Sequence, residues 1–318
     1  MTYRISSAGQ VNALAALRII NRDTAAVQQQ TSSGARVETA ADDATYWSYA
    51  SVMKSDSSSL NNIHDALGVG ASKVDTAYTS MNSLIDQLGD IRSLLVSAQE
   101  AGVDKTKLNT TLTELKSQMQ TTVQTTNFAG ENWLLNRDTN LPTSRSVIGG
   151  FVRGPNGDYQ MQNISFPASD TVMIDMSDAS RGLLTKAVNA NTDSSTPDRN
   201  YYLLNAGSST GVAGTEIALD DNTTDQQLQD MLGVVDQLLG TLTTTAAGLG
   251  IMSARIDDRV TYTKNMADLT DKGLHSLIDT DMDEASVRLK SLLTQQQMGT
   301  EAVSILNTAA SKVLILLQ

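Results

Sequence analysis

Apolar positions recur along this chain at alternating steps of three and four residues over two long stretches. In the first, Leu60, Ile63, Leu67, Gly70, Val74, Ala77, Met81, Leu84, Leu88, Ile91, Leu95 and Ala98 keep the spacing without a break. A helix turns every 3.6 residues, so these positions form one stripe and predict a helix about 58 Å long. The second stretch repeats the pattern at Leu228, Leu232, Val235, Leu239, Leu242, Ala246, Leu249, Ser253, Ile256, Val260 and Thr263. A shorter stripe lies between them at Leu108, Leu112, Leu115, Met119 and Val123. None of these helices can hide its apolar face alone, and the simplest arrangement buries the stripes against one another. Stripes this long suit coiled packing better than an ordinary globular helix.

Weaker stripes run through both ends of the chain. Near the start they fall at Ala13, Leu17, Ile20, Thr24 and Val27. Near the end they fall at Leu289, Leu292, Gln296, Gly299, Val303, Leu306, Ala310, Val313 and Leu317. After Glu301 the only charged side chain is Lys312. Helices of this kind do not stay folded and soluble in isolation. They are expected to pair with each other or with neighbouring copies.

The middle reads differently. Pro142, Pro155, Pro167 and Pro197 all lie there, and proline is disfavoured inside helices. Ser146–Arg153 and Asp158–Phe166 flank Gly154-Pro155-Asn156-Gly157, a turn signal. Val172–Ile174 and Tyr201–Leu204 are further strand candidates, and Asp193–Asp198 reads as loop. The predicted fold is therefore mainly α: a long helical coiled-coil bundle made from both chain termini, with a small β-rich domain inserted at about 140–224.

Composition narrows the function. A chain of 318 residues suits about two domains and a sizeable core. Aromatics are only 4%, fewer than globular enzymes usually place in their cores. A formal net charge of −12 argues against nucleic acid and anionic membranes as partners, since both require basic footprints. There is no cysteine, which excludes disulfides, thiol catalysis and cysteine–zinc sites. Met1-Thr2-Tyr3-Arg4-Ile5 opens a polar stretch unlike a cleaved leader. No apolar run approaches membrane-spanning length. If the protein lies outside the cell, export without a cleaved leader is expected.

Catalytic and ligand-binding constellations are thin. His64 and His275 each fall on a predicted helix and read as surface or inter-helix side chains. Asp279, Asp281, Asp283 and Glu284 resemble the start of a calcium loop, but Glu284 stands where that loop needs Gly and Lys290 where it needs Glu. They suit the first turn of the last helix, where the dipole favours carboxylates. Gly68-Val69-Gly70 before Lys73 lacks the spacing of a phosphate loop and lies within a stripe. Its small residues are expected to admit close helix approach. Tyr46, Trp47 and Tyr49 are expected to pack at a joint between the terminal helices and the next domain. No cofactor, metal or catalytic residue is expected, and the chain does not read as an enzyme.

Several motifs resemble a known family. Ser32-Ser33-Gly34-Ala35-Arg36-Val37 followed by Ala40-Ala41-Asp42-Asp43-Ala44 resembles the signature near the start of bacterial flagellins. Asn127-Phe128-Ala129-Gly130 resembles the flagellin turn that ends the second core helix. Glu284, Ser286, Leu289, Gln295-Gln296 and Val313-Leu314-Ile315-Leu316-Leu317-Gln318 resemble the C-terminal flagellin helix, with Gln318 where the family commonly has Arg. Glu131-Asn132-Trp133-Leu134 and Gly149-Gly150-Phe151-Val152 look most like the rhizobial, alphaproteobacterial type. The resemblance covers about 1–135 and 225–318.

That resemblance implies a structural subunit that self-assembles into the flagellar filament for swimming motility. Residues 1–43 and 279–318 would form a terminal coiled-coil domain lining the filament core, with Leu17, Ile20, Val27, Leu292, Val303, Leu306, Val313 and Leu317 at its interface. Residues 44–139 and 225–278 would form a helical shell packed through Leu67, Val74, Leu84, Leu88, Ile91, Leu239, Leu249 and Ile256. Residues 140–224 would form a variable outer domain. Implied partners are further copies, related flagellins, an export chaperone, and the filament cap and hook–filament junction proteins, with no nucleic acid or membrane. The protein would be exported unfolded through the flagellar type III channel to the extracellular filament. Leu88–Val96 aligns with the motif read by the innate immune receptor for flagellin: Arg92, Leu94 and Val96 match, Glu114 matches a further contact, and Asp90 stands where arginine is expected. Two other readings stand beside this one: a hook–filament junction protein, which shares the terminal helices, and a coiled-coil signalling rod.

Overall fold

The computed structural model describes residues 2–154, 158–190 and 199–316, with side chains described between 9 and 309 apart from Tyr159. The elements run α1 (Thr2–Ser33), α2 (Ala44–Ser97), α3 (Lys105–Thr125), β1 (Leu135–Asn136), β2 (Ser144–Arg153), β3 (Tyr159–Pro167), α4 (Ala168–Thr171), β4 (Ile174–Asp175), β5 (Val188–Asn189), β6 (Asn200–Tyr202), β7 (Thr215–Glu216), α5 (Asp225–Ile278) and α6 (Met282–Leu316). They form two compact units: a central unit, Leu60–Asn265, and a terminal unit made of the residues up to Ser59 and from Met266 onward.

The central unit is built on the predicted stripes. From Ile63 to Ala98 every position of the α2 stripe is buried, and Leu67, Val74, Met81, Leu84, Leu88, Ile91 and Leu95 have no exposed surface. Leu112, Met119 and Val123 of α3 and Leu228, Val235, Leu242, Leu249 and Ile256 of α5 complete the same cluster. Helix α5 buries a broader face than its stripe alone: Met231, Val234, Leu238 and Met252 also lie inside, and Leu239 sits at the edge of the core. Fully burying one such side chain stabilises by roughly 1.5–3 kcal/mol, so the interlocked stripes dominate the stability of this unit.

Local chemistry sets the helix ends. The Asp104 carboxylate accepts from the Lys107 N–H at 3.1 Å and starts α3. Thr224 and Gln227 cap α5 reciprocally: the Thr224 N–H donates to Gln227 Oε1 at 2.8 Å, and the Gln227 N–H donates to Thr224 Oγ1 at 3.3 Å. After α3 the chain reverses through Asn127–Glu131, where Phe128 and Glu131 exchange backbone hydrogen bonds. Ala129 (φ 51°) and Gly130 (φ 85°) adopt the left-handed conformation that this tight turn demands.

The strands are small and lie on the helices. β2 and β3 form the predicted antiparallel hairpin, with a register shift between Ile148 and Gly150. The Gly154 N–H donates to the Asp158 carbonyl at 2.7 Å beside its turn; Pro155, Asn156 and Gly157 lie outside the described residues, as does the expected loop Asp193–Asp198. β1 pairs parallel with β4, and β6 lies between antiparallel β5 and parallel β7. The strand expected at Val172–Ile174 is shorter: after Pro167 the chain turns into α4, and only Ile174 of that run pairs, together with Asp175. Likewise Tyr201 and Tyr202 are strand, whereas Leu203 and Leu204 continue as irregular but buried chain. Val147, Ile164, Met173, Ile174, Leu184, Tyr201 and Ile217 join the helices in one hydrophobic cluster.

Buried polar groups tie these short elements down. Asp175 has no exposed surface, accepts from the Ser177 and Asp178 N–H groups and the Asn136 carboxamide, and pairs with Arg181 at 3.0 Å. Lys116, on the inner side of α3, donates to Glu216 at 2.7 Å and to the Ile217 carbonyl. Burial pulls its ammonium below the usual lysine range, and Glu216 opposes that shift. Lys73 pairs with Glu131 at 2.9 Å, and that hydrogen bond holds the Glu131 carboxyl below its ordinary value.

The small residues expected to admit close helix approach do not do so: Gly70 admits a strand, through Val147 of β2, and Gly68 has no close neighbour. A Cβ added at Gly70 would lie 2.0 Å from Val147 Cγ1, whereas one at Gly68 meets nothing within 4 Å. Gly70→Ala is therefore expected to destabilise the central unit by about 1–3 kcal/mol through overpacking. Gly68→Ala is expected to stabilise by about 0.5–1 kcal/mol through helix propensity. Thermal unfolding of the two variants beside the parent checks both signs.

Candidate assembly surface

The terminal unit holds α1 and α6 side by side. Ala13, Leu17 and Ile20 of α1 are half-buried, and Thr24 and Val27 are buried. On α6, Ala285 is buried and Leu289, Leu292, Gln296, Gly299, Val303 and Leu306 are half-buried. These positions keep the three–four spacing, so the two weak stripes form one seam. Gln296 donates to Asn21 at 2.8 Å and Gln10 to Asn307 at 3.1 Å. Gly299 lies under Leu17: a Cβ there would sit 2.8 Å from Leu17 Cδ1. The side chain of Val313 and the whole of Leu317 lie outside the described residues.

Short loops close the unit. Gly34, at φ 73°, ends α1 in the left-handed conformation, and its N–H donates to the Gln30 carbonyl at 2.9 Å. Ala35 bridges to Asp279, and the Thr280 N–H donates to the Gly34 carbonyl. Asp42 accepts from the Thr39 N–H and hydroxyl and from the Glu38 N–H, and these bonds hold its carboxyl below the usual range. Asp43 accepts from the Thr45 and Tyr46 N–H groups at the start of α2. Asp281 does the same for α6 through Asp283 and Glu284, whose carboxylates lie in its first turn. His275 contacts Asp279 at 2.9 Å, and His64 contacts Asp65 at 3.5 Å. Among the described residues no group of three or more His, Cys, Asp and Glu side chains is placed to hold a metal.

Two features differ from expectation. Tyr46, Trp47 and Tyr49 do not pack inward: all three are exposed, and Arg36 lies over the Tyr46 ring at 5.2 Å. Ala50, Ser57, Ala267 and Leu274 take the interior places there, and the Ser57 hydroxyl donates to Asp271 at 2.6 Å. The terminal helices also leave large apolar side chains in the open. Val11, Leu14 and Ile19 on α1 and Leu293, Met298 and Ile305 on α6 remain exposed, Val11 by 63% and Ile305 by 69%. They fall off the stripe, so periodicity passed over them. The signal that marks them is the apolar residues left over once the stripe is assigned.

Two helices paired through a half-buried seam, with further apolar side chains left exposed, are unfinished as a globular structure and suited to association with further copies. Residues 6–139 match the bacterial flagellin N-terminal helical region, and residues 232–317 match the bacterial flagellin C-terminal helical region. The chain belongs to the bacterial flagellin family. This flagellin is 45% identical to flagellin C of Rhizobium meliloti strain 1021 over the full length of both chains. It is 33% identical to flagellin A of that strain, across 99% of this chain and all of the relative. It is 31% identical to a flagellin of Brucella melitensis biotype 1, with 99% of each chain covered. It is a structural subunit of the flagellar filament, which lies outside the cell, and not an enzyme. No described helix is long and apolar enough to cross a membrane.

Sites away from the seam fall on the central unit. Leu67, Val74, Leu84, Leu88, Ile91, Leu249 and Ile256 are core residues, and Leu239 is half-buried beside them. In the Leu88–Val96 segment Asp90 and Val96 are exposed and Leu94 is half-buried. Arg92 is held by Asp236 at 2.6 Å, and this hydrogen bond raises its already high pKa. Glu114 is exposed on α3.

The seam is tight at one point. Gly299→Phe is expected to raise the monomer concentration left after seeded filament growth at least tenfold, about 1.4 kcal/mol per subunit. Gly299→Ala, which only displaces the mobile end of Leu17, is expected to do much less. Sedimentation of filaments from free monomer measures both.

Proposed function

We propose that this flagellin travels unfolded through the flagellar type III export channel and folds its ends only on joining the growing filament. One observation carries the reading: the α1–α6 seam leaves Val11, Ile19, Met298 and Ile305 exposed, apolar side chains that further copies would cover. Ordering the ends on docking loses entropy at that step, which disfavours spontaneous nucleation and favours growth at an existing tip. In this reading residues 1–43 and 279–318 line the filament core, 44–139 and 225–278 form the helical shell, and 140–224 face outward. Leu17, Ile20, Val27, Leu292, Val303 and Leu306 hold the two terminal helices together, with Val313 and Leu317 continuing their stripe in sequence. An export chaperone would shield the apolar last helix, an aggregation hazard before assembly. The filament cap and hook–filament junction proteins would be its neighbours at the two ends of the polymer. Rhizobium meliloti strain 1021 has proteins named flagellin A and flagellin C similar to this chain, and co-assembly with related flagellins follows as a natural extension.

Deleting 301–318 is expected to abolish polymerisation while the central unit keeps its thermal transition. Seeded growth at neutral pH, followed by negative-stain electron microscopy and circular dichroism, tests this. Normal filaments from the truncated protein would overturn the role given to the last helix.

The Leu88–Val96 segment supports a second reading, that this flagellin is a poor agonist of the flagellin receptor. Asp90 reverses an expected positive charge, which is repulsive in a contact patch, and Arg92 is engaged by Asp236. A cell reporter assay is expected to give a response at least tenfold below that of an enterobacterial flagellin, and a comparable response would refute the reading.

A further inference from the structure

The hairpin and α5 enclose an open polar cleft of about 660 Å³ in the central unit. Gln162 and Asn163 of β3 line one side; Arg255, Asp258, Arg259 and Tyr262 of α5 line the other. The Arg259 guanidinium lies 5.9 Å from the centre of the Tyr262 ring, a cation–π contact that restrains it. Neither arginine forms an ion pair among the described residues. In a protein of net charge −12, the cleft lining sets two such arginines, one helical turn apart, against the single carboxylate of Asp258.

The same unit carries a matching pair. Asp86 and Asp90 on α2 are exposed, also one turn apart, and without an ion pair among the described residues. Their neighbour Arg92 is committed to Asp236. Residues four apart on a helix have Cβ atoms about 6 Å apart, so the aspartate pair and the arginine pair share one spacing. From this complementarity we infer that Asp86 and Asp90 of one copy dock into the Arg255–Arg259 cleft of a neighbouring copy. The Gln162 and Asn163 amides supply neutral donors for the remaining carboxylate oxygens. Asp258 lines the same cleft and opposes any carboxylate, so both arginines have to be reached to outweigh it. The two patches differ, so the contact is heterologous, and heterologous contacts build open helical assemblies. The inference rests on the filament reading and adds a specific subunit contact to it.

The test is seeded polymerisation at low salt with four proteins: the parent, Arg255→Glu/Arg259→Glu, Asp86→Arg/Asp90→Arg, and the combined four-residue swap. Circular dichroism confirms that each is folded. Each two-residue reversal is expected to raise the residual monomer concentration at least tenfold, and the swap to return it to within about threefold of the parent. The neutral variant Arg255→Gln/Arg259→Gln keeps the contact testable should a reversal misfold; it is expected to polymerise less and to lose part of the parent's salt dependence. Reversals or a neutral variant that grow like the parent would overturn the contact, as would a swap no better than its halves. A parent that forms no filaments would instead strike at the filament reading, and only the parent arm reports that.

Discussion

An amphipathic helix with one unbroken apolar stripe has to bury that stripe, and everything described in this flagellin follows from where partners for the stripes are found. In the central unit the partners lie within the chain. The stripe of α2 disappears completely from Ile63 to Ala98 because α3, α5 and the small strands surround it. Stability there comes from interlocked side chains with little room to give, which is why a glycine such as Gly70 matters where Val147 passes over it.

In the terminal unit the partners run short. α1 and α6 have one another, and a two-helix seam covers one side of each. Leu17, Leu292 and Leu306 stay half-exposed even at the seam, and Val11, Ile19 and Ile305 are more than half exposed. A subunit that completed its own terminal core would have no reason to polymerise. Under the proposed assembly, apolar side chains left open couple folding of the ends to binding of neighbours.

Polar groups do a different task. Asp42, Asp43, Asp104, Asn132, Asp175 and Asp281 each accept from backbone N–H groups at a chain reversal or helix start. They set where helices begin and how the short strands are anchored; the apolar stripes supply the stability. The surplus of exposed carboxylates then gives the surface its charge, against which an unpaired arginine pair stands out.

By itself the sequence determined the helices, their stripes, the β2–β3 hairpin and the family, because each is written in local spacing: period 3.6, a Gly-Pro-Asn-Gly turn, a Ser-Ser-Gly end followed by Asp-Asp. It also placed carboxylates at the first turn of the last helix, where Asp283 and Glu284 lie, because that preference depends on neighbours a few residues away. The tertiary structure alone decided which apolar residues stay outside. Periodicity assigns a face to a helix but not the number of partners that face will meet, so Val11 and Ile305 were invisible and the Tyr46–Tyr49 cluster was misplaced. Nor could spacing show that α5 buries Leu238 ahead of Leu239, that Val172 and Met173 stay outside the strand ladder that Ile174 joins, or that Gln162 and Asn163 meet Arg255 and Arg259 across a cleft. Those outcomes come from contacts between residues far apart in the chain, and only the packed chain sets them.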